Sequence, residues 1–186
     1  MTIADASSPR VLLLPGWLDS GPDHWQSRWE RLFADQRVQQ ADWEWPRRGD
    51  WMARLDEVLL EDDRPVALVA HSLGCQLVAA WSAHSPQVGR VKAALLVAPP
   101  DTEREDMPPN LFNWRPIVRE RLPFASLAIT SSDDPYSSAA RSAQMIADWG
   151  SAAIDIGARG HINGASGLGD WPAGRTLLNA LIAHTG

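Results

Sequence analysis

Ser72 stands in Ala70-His71-Ser72-Leu73-Gly74, between an apolar run over 65–70 and a small-residue stretch over 73–84. A serine at such a strand-to-helix turn matches a nucleophile elbow, where a sharp backbone bend exposes Oγ above a sheet. Small residues are needed two positions before and two after it, because strand and helix backbones pass close there. Gly74 meets that demand fully and Ala70 less well. The plainer alternative is a serine that caps an ordinary helix. A hydroxyl is a poor nucleophile until an imidazole takes its proton, and the imidazole needs a carboxylate to fix its tautomer. In a parallel sheet these partners belong on loops after later strands, the acid before the histidine. The chain carries Ser131-Ser132-Asp133-Asp134-Pro135-Tyr136 and then Gly157-Ala158-Arg159-Gly160-His161, in that order. Ser72, Asp134 and His161 are therefore the candidate catalytic residues. Asp134 is preferred to Asp133 because Pro135 would hold its turn rigid, and at this level the choice between them stays open.

Acyl transfer through such a serine also needs donors for the oxyanion. One is expected from the backbone N–H of Leu73, the residue after the nucleophile. The second is expected from Trp17, in the loop Leu14-Pro15-Gly16-Trp17-Leu18, where Gly16 lets the backbone bend. His71 adjoins the serine, so it is expected to line the site without being the base. His24, His84 and His184 fall on or beside predicted helices, where surface positions are expected. Cys75 falls one turn into the elbow helix and is expected to be buried, not a rival nucleophile.

The elements that must hold these residues follow from apolar patterning. Strands are predicted over 11–14, 38–41, 66–70, 93–97, 126–130 and 152–156, the second being polar and weak. Helices are predicted over 25–34, 50–60, 73–84, 139–149 and 173–184. Alternating β and α elements imply a parallel sheet with helices on both faces, and near-continuous apolar strands support burial on both sides. The expected fold class is α/β, a three-layer α/β/α sandwich on a six-stranded, mainly parallel sheet. One connection breaks the rhythm: residues 99–123 hold six prolines with Leu111, Phe112 and Trp114. A loop of this length tends to be functional. It reads either as a small lid with a short helix over 117–121 or as a solvated surface excursion.

With 186 residues the chain is expected to form one domain, preceded by a disordered tail over 1–9. A formal net charge of −6 argues against nucleic acid as a partner. The single cysteine and the absence of a signal-like start or a long apolar span point to the cytoplasm and to no membrane insertion. No metal and no cofactor are expected. Ten tryptophans are many for this length. Most are expected to pack in the core, but Trp17, Trp43, Trp45 and Trp171 follow predicted strands, where ligand crevices form. Trp43, Trp171 and the lid's Trp114, together with His71, are candidates to wall an apolar acyl pocket.

Taken together, Pro15-Gly16-Trp17, Ser20-Gly21-Pro22-Asp23-His24-Trp25-Gln26, His71-Ser72-Leu73-Gly74, Asp133-Asp134-Pro135-Tyr136, Gly160-His161-Ile162-Asn163, Gly167 and Trp171-Pro172 span nearly the whole chain. This combination resembles the small α/β-hydrolase family of YdeN and the retinoblastoma-binding serine hydrolases. The resemblance implies a minimal α/β-hydrolase fold, a triad of Ser72, Asp134 and His161, and hydrolysis of esters or small amides without a cofactor. It also implies that residues 20–25 shape the edge of the site. Leu18-Asp19 departs from the family pattern, which often has glycines there. The Leu-x-Cys-x-Glu signature for retinoblastoma protein is absent, so no protein partner is implied. The expected activity is a serine hydrolase cleaving carboxylic esters of short to medium acyl chain. The alternatives are an amide or peptide hydrolase, or a protein-binding module with an idle triad.

Overall fold

The computed structural model describes residues 8–185. The tail expected over 1–9 falls, but for its last two residues, outside that range. Six strands form one sheet: β1 (Arg10–Leu14), β2 (Gln36–Arg37), β3 (Val66–His71), β4 (Val91–Val97), β5 (Ala125–Thr130) and β6 (Ala152–Asp155). Their spatial order is β2-β1-β3-β4-β5-β6, with every adjacent pair parallel. The described residues also form five α-helices, four between strands and the last after β6: α1 (Trp25–Phe33), α2 (Arg48–Leu60), α3 (Leu73–Ser82), α4 (Ala139–Trp149) and α5 (Pro172–Ala183).

Strand side chains alternate between two cores, as a period of two requires. On one face Leu12, Leu14, Leu68, Ala70 and Leu96 pack with Trp51 and Leu55 of α2, Leu77 and Trp81 of α3, and Met145 and Trp149 of α4. On the other, Leu13, Val69, Leu95 and Ile129 meet Trp25 and Trp29 of α1 and Leu178 of α5. Helices therefore cover both faces, which gives the three-layer sandwich.

Two sequence expectations need correction. Residues 38–41 do not form the second strand; β2 comes earlier and is only two residues long. Its partner β1 ends at Leu14, and the next residue is Pro15, which has no N–H to donate. Val38 still donates its N–H to the Leu13 carbonyl (2.9 Å), but the polar residues beyond it have nothing left to pair with. Residues 117–121 do not form a helix. The short helix of that connection is a 3₁₀ turn over Pro109–Trp114.

The 99–123 segment is not a solvated excursion either. Leu111, Trp114, Ile117 and Leu122 are buried against the first core. The Trp114 indole donates to the Pro46 carbonyl (2.8 Å), and Asn113 Oδ1 accepts the Arg48 N–H (2.7 Å). Arg141 of α4 pairs with both Asp101 and Glu103, and Arg119 bridges Glu103 and Asp148. The segment is thus pinned at both ends and in the middle. No helix among the described residues is long and apolar enough to cross a membrane.

Candidate active site

The connection after β1 leads outward to β2, whereas the one after β3 leads the other way to β4. Where neighbouring parallel strands send their chains in opposite directions, a crevice opens beyond their carboxyl ends. Gly16 and Trp17 follow β1 and Ser72 follows β3, so both lie at this crevice.

Ser72 joins β3 to α3 with φ 54° and ψ −124°. A non-glycine residue in so sparsely populated a region costs about 1–3 kcal/mol and persists only where its surroundings over-determine it. Here the Ser72 N–H donates to the Val97 carbonyl (2.9 Å) and its own carbonyl accepts the Cys75 N–H (2.8 Å). Two glycines make the turn possible. A Cβ on Gly74 would lie 2.2 Å from the Leu14 carbonyl oxygen, and one on Gly16 would lie 2.7 Å from the Ser72 Cβ. Both positions therefore exclude any side chain.

His161 lies in the loop after β6, 89 residues beyond the serine, and its Nε2 is 2.7 Å from Ser72 Oγ. Both carboxylate oxygens of Asp134 lie 3.0 Å from His161 Nδ1, so the acid accepts from Nδ1–H and leaves Nε2 free to accept from the hydroxyl. The side chains of both residues are largely buried. Asp133 faces elsewhere: its Oδ1 accepts from the Ser131 hydroxyl (2.8 Å) and from the Gly160 N–H (2.7 Å). Those hydrogen bonds, Ser131's first, lower its carboxyl below the ordinary range. The two aspartates thus divide the work, Asp134 meeting the imidazole and Asp133 bracing the loop that carries it.

The backbone N–H groups of Trp17 and Leu73 have no acceptor among the described residues. Leu73 opens α3, so its N–H adds to the positive end of a helix dipole. The loop carrying Trp17 is held by its indole, which donates to the Glu44 carbonyl (3.0 Å), and by Leu18 N–H to the Trp43 carbonyl (3.2 Å). Leu18 and Asp19 have φ 66° and 63°. The chain keeps the left-handed backbone that glycine would favour. Arg37 steadies it, its guanidinium reaching Asp19 at 2.5 Å and Glu30 at 2.9 Å.

A cleft of about 210 Å³ opens over Ser72. Leu18, Leu73, Pro100, Met107, Pro108 and Leu111 form its apolar wall, with His24, His71, Tyr136 and Asn163 also exposed to it. The packed 99–123 segment thus supplies one wall. Of the expected pocket residues His71 lines the cleft, but Trp43, Trp114 and Trp171 do not. Trp114 packs edge-on against Trp51 in the core, and Trp43 lies against that same Trp51. Trp171 meets Trp25 edge-on and stacks with Trp29 of α1, and Trp45 is 62% exposed on the surface. Among these tryptophans only Trp17 reaches the cleft. Trp43, Trp114 and Trp171 turn into the layers beside the sheet, and Trp45 turns to solvent.

His24 is the residue that sequence reasoning misplaced. It is buried, not at the surface; its Nδ1 accepts the Gln26 N–H (3.1 Å) and so caps α1, and its ring lies 4.6 Å from that of His71. The available signal was its membership of the 20–25 stretch expected at the site's edge. Tyr136, whose ring packs 4.5 Å from that of His161, was visible only as part of the acidic loop.

Burial, helped by Arg37 and His161, lowers the His24 imidazole from 6.5 to about 3. Burial, then His24 and His161, drive His71 well below its ordinary value. Both stay neutral in the folded protein, whereas in the unfolded chain they take up protons below about pH 6.5. Between that pH and their folded values the unfolded state binds more protons, so stability falls as pH falls. At pH 5 the loss from His24 alone is about 2 kcal/mol. Thermal melts at pH 7.5 and pH 5 should therefore differ by at least several degrees. The lowered carboxylates Asp62 and Glu103 titrate below this window. A melting temperature independent of pH over it would contradict the buried, neutral state of the two imidazoles.

The geometry can be set beside known proteins. A family model described as serine hydrolase matches residues 11–180. No curated protein matches the sequence. A protein from Pectobacterium atrosepticum described as a YdeN-like hydrolase is 28% identical, over 96% of this chain and 92% of that one, with a TM-score of 0.85. The ydeN gene product of Bacillus subtilis is 19% identical over 95% of this chain and 100% of its own, with a TM-score of 0.74. The esterase RhEst1 from a Rhodococcus species shares the fold at 15% identity, covering 98% of this chain and 93% of that one, with a TM-score of 0.69. The sheet order and helix layers are those of a minimal α/β-hydrolase, and the family match spans nearly the whole sequence. The chain belongs to the serine hydrolase family, and within it is similar to the YdeN-like members.

Proposed function

We propose that the protein is a carboxylesterase, cleaving esters of short to medium acyl chain through an acyl-enzyme on Ser72. The observation that carries this reading is the continuous line Asp134–His161–Ser72, at 3.0 Å and 2.7 Å. His161 Nε2 takes the hydroxyl proton as Ser72 Oγ attacks the ester carbonyl. Asp134 holds Nδ1–H in place and offsets the imidazolium charge. The carbonyl oxygen becomes an oxyanion that accepts from the Trp17 and Leu73 N–H groups. His161 then returns its proton to the leaving alkoxide, and the acyl group stays on Ser72. Water enters by the same route: His161 takes one of its protons as its oxygen attacks the acyl carbonyl, the bond to Ser72 Oγ breaks, His161 gives the proton to Oγ, and the carboxylic acid leaves.

The small cleft with its apolar wall supports uncharged acyl groups of modest length. The one carboxylate facing it, Asp19, is already paired with Arg37. A fluorophosphonate probe forms its phosphonate ester with an activated serine and expels fluoride. Mass spectrometry of the labelled, digested protein is expected to find that adduct on Ser72 and none after Ser72→Ala, with turnover of p-nitrophenyl butyrate lost in parallel. An unlabelled Ser72 in protein that melts normally would sink the reading and leave an idle site.

A further inference from the structure

We propose that His71 is a positioning residue, whose ring anchors the main chain carrying His161 and so sets the distance from that imidazole to Ser72. The inference rests on the hydrolytic reading above. His161 has no ladder or helix to hold it, and it sits between Gly160 (φ 58°) and Ile162 (φ 48°), both left-handed. Side chains from other elements therefore have to fix it. Asp133 takes the Gly160 N–H, and the Trp25 indole donates to the Ile162 carbonyl (2.8 Å). At His161 itself, the main-chain carbonyl accepts from His71 Nε2–H at 2.8 Å.

That last bond differs from the others in its origin, because His71 is covalently joined to Ser72. A shift at the end of β3 carries the hydroxyl and the anchor of the base together, so their separation is preserved. Because a carbonyl only accepts, Nε2 of His71 must carry the proton. The ring is itself immobilised. It is 5% exposed and packs edge-on against His24 at 4.6 Å and against Trp25 at 6.1 Å. Without it, the His161 carbonyl would be left without its donor, and the loop would move to find another. Displacing a reacting group by about 1 Å can cost about 100-fold in rate.

The test compares His71→Phe, which keeps a ring of similar size but no donor, with His71→Gln, whose Nε2 can take the place of the imidazole Nε2. In His71→Phe, kcat for p-nitrophenyl butyrate and the rate of fluorophosphonate labelling are expected to fall about 10- to 100-fold together, with KM within about twofold. His71→Gln is expected to recover most of that loss. Melting temperatures of both identify a variant that merely fails to fold, and in the unmodified protein a ¹⁵N imidazole spectrum is expected to show His71 as the Nε2–H tautomer. Equal impairment of both variants, an effect confined to KM, or the opposite tautomer would overturn the inference. Failure of the hydrolytic reading is separate, since it appears as an unlabelled Ser72 in unmodified protein.

Discussion

Ser72→Ala and His161→Ala each lower kcat by about 10⁶-fold, and the double variant falls no further. The reason lies in the 2.7 Å contact between Oγ and Nε2. Without the imidazole the hydroxyl keeps its proton, and without the hydroxyl the imidazole has nothing to deprotonate for acyl transfer. Each group is useful only through the other, so their losses do not add. A residual rate above that of water is expected in all three variants, because the Trp17 and Leu73 N–H groups belong to the backbone and survive the substitutions. Steady-state turnover at matched folded concentration checks this. Losses that multiply in the double variant would show two independent contributions and contradict a single proton path.

Asp134→Asn lowers kcat by about 10⁴-fold, whereas Asp133→Asn has a much smaller effect. An asparagine at 134 can donate to Nδ1 of His161, and the imidazole then carries its proton on Nε2. That places an N–H against Ser72 Oγ, where a lone pair is needed. The geometry hardly changes, but the tautomer is wrong. Asp133 makes no hydrogen bond to the imidazole; its Oδ1 accepts from Ser131 and Gly160. An asparagine oxygen can take over both hydrogen bonds, so the loop is held and the chemistry continues. Substrate affinity should change little in either variant, which separates loss of the base from loss of the cleft. If the two substitutions cost the same, the division between the neighbouring carboxylates is wrong.

Much of the fold was legible because the strands that matter are buried on both faces and flanked by turn residues. The apolar runs at β1, β3, β4 and β5 leave little choice of element, and their alternation with helices leaves little choice of sheet. β2 was misplaced because its position depends on where β1 stops, which a polar segment does not record. The 99–123 connection could be seen as long and apolar in places. Its anchoring on Pro46, Arg48 and Arg141 joins residues 38 to 68 positions apart, and local pattern does not carry such pairings.

The order of the chain determined which serine, which histidine and which acidic loop could meet, since a parallel sheet delivers loops to one edge and an elbow needs glycine where Gly74 stands. Tertiary structure alone decided that Asp134 faces the imidazole, that His24 and His71 lie beneath it, and that Met107, Pro108 and Leu111, not Trp43, Trp114 and Trp171, wall the cleft. The physical reason is one of range. Backbone hydrogen bonding and apolar periodicity act over a few residues and are written locally, whereas the direction in which a loop side chain points is settled by whatever distant element packs against it.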